Sequence, residues 1–267
     1  MKDILAEIVA SKITEVADRK KVRSVQELEG ASMFSREPLS LRSFLTQPDR
    51  TGIIAEFKRQ SPSKGLINGT ALVQDVTTAY ARNGASGLSV LTDQHYFGGS
   101  MDDLQQARAV NNIPILRKDF VIDEYQIVEA KAIGADVILL IAECLSKEEV
   151  KHLAAFAHNL GLEVLLEVHS GEQLEKITPH THLVGINNRD LKTFKVDIHR
   201  SMELLKQIPA GHSKVAESGM DDTDTIITLK KAGFDGFLIG EHFMRDENPG
   251  SAFESFAEVL KTKLAAL

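Results

Sequence analysis

Apolar and polar positions along the chain follow two alternating periods. From residue 52 onward, short runs rich in β-branched residues recur: IIAEF from Ile53, LSVL from Leu88, PILRK from Pro114 and VILLI from Val137. EVLLEV from Glu163, HLVGIN from His182, KVAES from Lys214 and GFLIG from Gly236 continue the series. The runs begin about 26 residues apart on average, close to the ~30 residues of one βαβ unit. Between them, apolar residues repeat at helical spacing, as in Leu72, Val73, Val76, Ala79 and Tyr80, so each intervening helix has one packing face. Ser146 with Glu149 and Ser170 with Gln173 have the spacing of capping boxes, which satisfy the orphan amides of a first helical turn. Gly84, Gly134, Gly161 and Gly233 stand where a helix must stop, free to adopt the positive φ that turns the chain toward the next strand.

Nearly continuous apolar strands separated by helices predict a parallel sheet covered on its outer side. Eight such units favour closure, so the expected fold is α/β, a (β/α)8 TIM barrel. The competing open, doubly wound sheet usually carries a glycine-rich phosphate loop after its first strand, and no such loop follows Ile53. Residues 1–48 precede the first strand and predict one or two further helices, with a linker containing Pro38 and Pro48. The expected organisation is one domain over 1–267, with 1–48 an N-terminal helical extension and 49–267 the barrel. An oligomerisation arm is the other reading of 1–48.

Composition narrows the partners. A length of 267 residues is near the ~250 typical of such a barrel. The net charge of −7 comes without a run of Lys or Arg able to track phosphates, which argues against nucleic acid. The N-terminal stretch mixes charge with apolar residues at helical spacing, unlike a signal peptide. No apolar run approaches the ~18 residues of a spanning helix, so no membrane partner is expected. The lone Cys144 rules out an internal disulfide or a cysteine zinc cluster. A cytoplasmic enzyme acting on a small molecule is expected, as a monomer or a weak homodimer.

In a (β/α)8 barrel, polar residues at the carboxyl ends of strands carry chemistry and those at the opposite end carry stability. Strand 1 ends in Glu56-Phe57-Lys58, strand 3 in Arg117-Lys118-Asp119 and strand 5 in Glu167-Val168-His169. Strand 6 ends in Asn187-Asn188-Arg189, strand 7 in Glu217-Ser218-Gly219 and strand 8 in Gly240-Glu241. The period of two puts Glu56 and Lys58 on one side, with Phe57 opposite. Half-buried charges of both signs must be paired or must serve a charged ligand, because desolvating one alone costs several kcal/mol. Ser218-Gly219 and Gly240-Glu241 have the makings of a phosphate cradle, in which glycine lets backbone amides come close. His180 and His182 have the spacing of a metal pair but fall at the stability end, so no metal is expected. Cys144 reads as a small buried residue rather than a nucleophile.

Taken together, AEFKRQSPSKG from Ala55, LSVLTDQHYFGGSMDDL from Leu88 and LRKDFVIDEYQI from Leu116 resemble indole-3-glycerol phosphate synthase. VLLEVHS from Val164, GINNRDLKTF from Gly185, VAESGM from Val215 and GFLIGEHFM from Gly236 complete the pattern. The resemblance implies conversion of 1-(2-carboxyphenylamino)-1-deoxyribulose 5-phosphate to indole-3-glycerol phosphate, without metal or organic cofactor. It implies that Lys118 is the general acid and Glu167 the general base of dehydration. Lys58 would anchor the substrate and deliver a proton, and Glu56 would orient it or assist dehydration; the assignment of lysines to steps stays open. Asn187 and Glu217 would hydrogen-bond the ribulose hydroxyls or the anthranilate nitrogen, and Arg189 would lie near the phosphate. Ser61, Ser218, Gly219, Gly240 and Glu241 would share the phosphate, and Phe97 and Phe120 would form an apolar wall. The chain departs from the pattern at Glu241, where many relatives carry Ser or Thr; its amide is expected to face the phosphate and its carboxylate to face solvent. Two rival functions fit the same residues. One is a class I aldolase with a Schiff base on Lys118, and the other is a phosphosugar-binding barrel without catalysis.

Overall fold

The computed structural model describes residues 4–189 and 197–267. Eight parallel strands close into a barrel, in the order in which they occur along the chain. They are β1 (Ile53–Phe57), β2 (Gly87–Leu91), β3 (Ile115–Lys118), β4 (Val137–Ile141), β5 (Glu163–Val168), β6 (Leu183–Asn187), β7 (Ser213–Glu217) and β8 (Gly236–Ile239). β1 and β8 seal the ring, with Ile53 beside Phe237 and Ala55 beside Ile239. Three helices precede β1: Ile4–Val22, Val25–Glu29 and Leu41–Leu45. The loop after β1 also holds a short antiparallel hairpin, pairing Gln60 with Leu66 and Ser61 with Gly65. Its two-residue strands are too short to announce themselves by periodicity.

Two apolar layers follow from the period of two. Ile54, Leu116, Leu139, Leu165, Val215 and Leu238 point inward and fill the barrel. Their neighbours Ile53, Ile115, Ile138, Leu166 and Phe237 point outward against the helices. The extension closes both ends of the inner layer. Leu41 and Leu45 plug the base, fitting where Gly87 and Gly236 lack side chains; a Cβ on these glycines would come within 2.6 and 2.8 Å of the leucines. Ile8, from the first helix, joins the same cluster from the opposite end.

The helix punctuation is mostly as the sequence indicates. Ser146 and Glu149 form a capping box, and Gly84, Gly134, Gly161 and Gly233 all take positive φ. Ser170 and Gln173 do not form one. Gln173 turns its Oε1 to the His169 amide at 2.7 Å, and Gly171–Lys176 winds as a 3-10 helix without a side-chain cap.

At the base of the barrel, His158 stacks on His180 with centroids 4.5 Å apart and lies 5.4 Å from His182. Burial, then the charges of His158, Arg42, His180 and His212, push His182 down to about 4. The unfolded chain therefore binds a proton near pH 6.5 that the folded ring refuses, so stability present above pH 6.5 is lost as pH falls toward 4. The ring is only half-buried, which limits the effect to about 1 kcal/mol near pH 5. We expect Tm at pH 5 to fall roughly 3 °C below that at pH 7, and the slope to flatten in His182→Gln; a parental slope in the variant would assign it elsewhere.

Candidate active site

Strand parity decides which charged side chains enter the barrel mouth. On β1, Glu56 points inward and Lys58 follows two residues later, and their side chains pair at 2.9 Å. Lys118, at the end of β3, also points inward, and its Nζ lies 3.0 Å from Glu167 Oε2 and 3.5 Å from Glu217 Oε2. Glu167 ends β5 and Glu217 ends β7. Asn187, ending β6, donates from Nδ2 to Glu167 Oε1 at 3.0 Å. All fourteen residues singled out from the sequence line one cleft of about 810 Å³ at this end of the barrel.

Two glycines make room for the carboxylates. A Cβ on Gly185 would come within 2.0 Å of Glu217 Oε1, and one on Gly240 within 2.6 Å of Glu56 Oε1. Neither position tolerates a side chain while the acids stay where they are. Ser218 and Gly219 both adopt left-handed backbone, with φ of 68° and 70°, the former an uncommon conformation for a residue with a Cβ. Asn188 holds this turn by donating from Nδ2 to the Ser218 carbonyl at 2.7 Å.

Electrostatics divide the three acids. Burial raises the Glu167 carboxyl, but the Lys118 ammonium, His169 and Asn187 outweigh it and hold the group well below the usual carboxylate range. Glu56 is likewise held down, its burial outweighed by Lys58 and Lys118. Glu217 moves the other way: burial and the neighbouring Glu167 charge push it up, and Lys118 offsets only part. Lys118 loses affinity for its proton through burial but regains more from Glu167, Glu217 and Glu56, so its pKa is raised. With Glu217 protonated, Glu56, Glu167, Lys58 and Lys118 form a neutral quartet.

At the rim, Glu241 opens the short helix Glu241–Met244. Its side chain does not turn to free solvent as the sequence suggested. Oε1 lies 3.6 Å from Lys64 Nζ and Oε2 lies 3.6 Å from Arg189 Nη2, because two cations on neighbouring loops attract the carboxylate across the cleft edge. On the apolar side, the Phe97 and Phe120 rings sit 6.0 Å apart, with Ile4, Leu5 and Ile8 of the first helix beside them.

Other strand-end charges have different work. Arg117 flanks Lys118 but faces outward; fully buried, it bonds the Gln126 carbonyl at 2.7 Å and Asp119 at 3.1 Å, while Asp119 reaches the edge of the cleft and Lys12. Three groups near the chemistry were given no role from the sequence. His169 Nε2 lies 2.9 Å from Glu167 Oε1, Ser89 donates to Glu56 Oε2 at 3.2 Å, and Lys12 reaches the strand ends from the first helix. His169 and Ser89 sit two residues from an inward position on their strands, a signal that parity alone could have supplied. Residues 190–194 of the quoted GINNRDLKTF segment lie outside the described residues.

Known proteins match the sequence over almost the whole chain. The family model described as indole-3-glycerol phosphate synthase matches residues 5–256. The chain belongs to the indole-3-glycerol phosphate synthase family. A relative of that name from Bacteroides thetaiotaomicron is 46% identical over 261 residues, covering 98% of this chain and all of the relative. One from a Polaromonas species is 43% identical, covering 94% and 97%. Among solved structures, a mutant tryptophan synthase alpha-subunit from Pyrococcus furiosus superposes with a TM-score of 0.61 at 13% identity, over 79% of this chain and 98% of that one. At that identity the likeness concerns the barrel fold alone. For an indole-3-glycerol phosphate synthase family member, the cleft over β1, β3, β5, β6, β7 and β8 is therefore the candidate active site.

Proposed function

We propose that Lys118 and Glu167 act as general acid and general base in closing an indole ring within this cleft. As a member of its family the chain is a carboxy-lyase of tryptophan biosynthesis acting on a small molecule. The substrate is 1-(2-carboxyphenylamino)-1-deoxyribulose 5-phosphate and the product is indole-3-glycerol phosphate. The observation that carries the reading is the Lys118 ammonium, held at 3.0 Å by Glu167 inside a cleft with aromatic rings on one side.

Ring closure joins the carboxyl-bearing ring carbon to the ribulose carbonyl carbon, and the carbonyl electron pair moves onto oxygen. Lys118 supplies the proton to that oxygen. The carboxylate leaves as carbon dioxide, and its bonding pair restores the aromatic ring. The new hydroxyl then departs as water, which requires a proton delivered to it and another removed from the neighbouring ring methylene. Glu167, held ionised, suits the removal, and Lys58 suits substrate anchoring and proton delivery. One proton is consumed overall and is regained from solvent. Glu56 orients Lys58, while Asn187 and Glu217 engage the ribulose hydroxyls or the ring nitrogen. Phe97 and Phe120 cover the aromatic ring, and Arg189, Ser61, Ser218, Gly219, Gly240 and the Glu241 amide share the phosphate.

A Schiff-base aldolase needs a neutral amine at Lys118, and the ionised Glu167 and Glu56 beside it favour the opposite state. Indole absorbance appearing when purified protein meets the carboxyphenylamino sugar phosphate tests the reading. Absence of turnover would leave the non-catalytic phosphosugar barrel, and borohydride trapping of Lys118 would restore the aldolase.

Glu241 competes with phosphate for Lys64 and Arg189. Each half-exposed pair contributes about 1 kcal/mol or less, so Glu241→Gln is expected to lower KM by roughly two- to fivefold. Inhibition by inorganic phosphate should tighten in parallel; a raised KM would mean that the carboxylate instead supports the site. The same reading takes 1–267 as one barrel domain with 1–48 as its extension, working as a cytoplasmic monomer, and sedimentation of the purified chain tests the last point.

A further inference from the structure

Lys12 lies in the first helix, far in sequence from every strand, yet its side chain is 1% exposed. Its Nζ sits 2.8 Å from Asp93 Oδ2, 3.0 Å from Asp119 Oδ1 and 2.8 Å from Glu15 Oε2. A lysine so deeply desolvated is retained only where carboxylates hold it in place.

The two buried carboxylates have further commitments. Asp93 Oδ1 accepts the Tyr96 amide at 2.7 Å and the Phe97 amide at 3.3 Å, fixing the loop that presents the Phe97 ring. Asp119 Oδ1 accepts the Phe120 amide at 2.8 Å, and Oδ2 accepts from Arg117 at 3.1 Å and from Thr92. One turn before Lys12, Ile8 lines the cleft with Phe97 and Phe120. A single ammonium thus ties together three pieces of chain that each present an apolar group to the same part of the cleft.

We propose that Lys12 is a positioning residue for ring closure: shared by Asp93 and Asp119, it locks the first helix, the Phe97 loop and the Phe120 strand end into one wall against the substrate's aromatic ring. This inference rests on the cleft being the site of the reaction. Lys12 touches no reacting atom, and Lys118 is held from the inner side by Glu167 and Glu217. Losing the lock therefore loosens the grip on the ring more than it disturbs proton transfer.

The test compares the parent with Lys12→Met and with Lys12→Met/Asp93→Asn, at a temperature well below the Tm of each. Asparagine at 93 still accepts the loop amides but removes the stranded charge. The expected result is a KM raised about tenfold in Lys12→Met, with kcat lowered less than about threefold. The double variant is expected to regain much of the lost Tm while keeping the raised KM. A purely structural role would instead return KM to the parental value once Tm recovers, and that result overturns the proposal. Parental KM in a folded Lys12→Met does the same, and the double variant carries the test if Lys12→Met does not fold. A parent without turnover refutes the reading of the cleft itself; an active parent beside an unaffected variant refutes only the role of Lys12.

Discussion

Replacing Lys118 by methionine is expected to lower kcat by at least about a hundredfold, the usual loss when a positioned acid is removed. The loss has two sources. The proton donor to the developing alkoxide disappears, and Glu56, Glu167 and Glu217 lose the cation that all three surround. Left together, the acids repel one another and take up protons more readily, so Glu167 ceases to be a dependable base near neutral pH. Lys118→Arg is expected not to restore turnover, because a guanidinium keeps the charge but releases its proton far less readily. Circular dichroism shared with the parent would show that the barrel persists. Turnover within tenfold of the parent in Lys118→Met would move the acid role to Lys58.

Glu167→Gln is the second large effect, again at least about a hundredfold in kcat, with KM changed by less than about threefold. The shape is conserved but the chemistry is not. Oε2 faces the Lys118 ammonium at 3.0 Å, while Oε1 accepts from Asn187 at 3.0 Å and lies 2.9 Å from His169. An amide offers an acceptor to one side only and turns an NH2 donor against the other. It also cannot take the methylene proton. Steady-state indole formation measures kcat, and a dead variant that still binds substrate with parental affinity separates catalysis from binding. Unimpaired turnover would hand the base role to Glu56.

Much of this site was legible because strand parity is a strict rule. Glu56 with Lys58 could be assigned to one side of the mouth from spacing, Asn187 and Arg189 from their place at a strand end and the family resemblance, and the closed ring followed from eight regular units. Parity also governs Arg117, which a count of charges at strand ends groups with Lys118 but which faces the helix layer and bonds the Gln126 carbonyl. The Glu241 carboxylate was expected to face solvent because its attraction to Lys64 and Arg189 depends on how two loops fold. Lys12 was hidden by distance, since its partners lie at 93 and 119. A signal existed nonetheless: Lys12 falls between Ile8 and Val16 on the buried stripe of its helix, a position where an unpaired lysine is not sustainable.

The seam between β1 and β8 has a consequence for how activity is acquired. Glu56 and Lys58 belong to the first strand, and Gly240, whose bare backbone leaves room for the Glu56 carboxylate, follows the last. A chain emerging amino end first makes its anchoring lysine long before the residue that accommodates that lysine's partner. Glu56 and Gly240 meet only when that seam is closed, so enzyme activity during refolding is expected to appear no earlier than the pairing of β1 with β8.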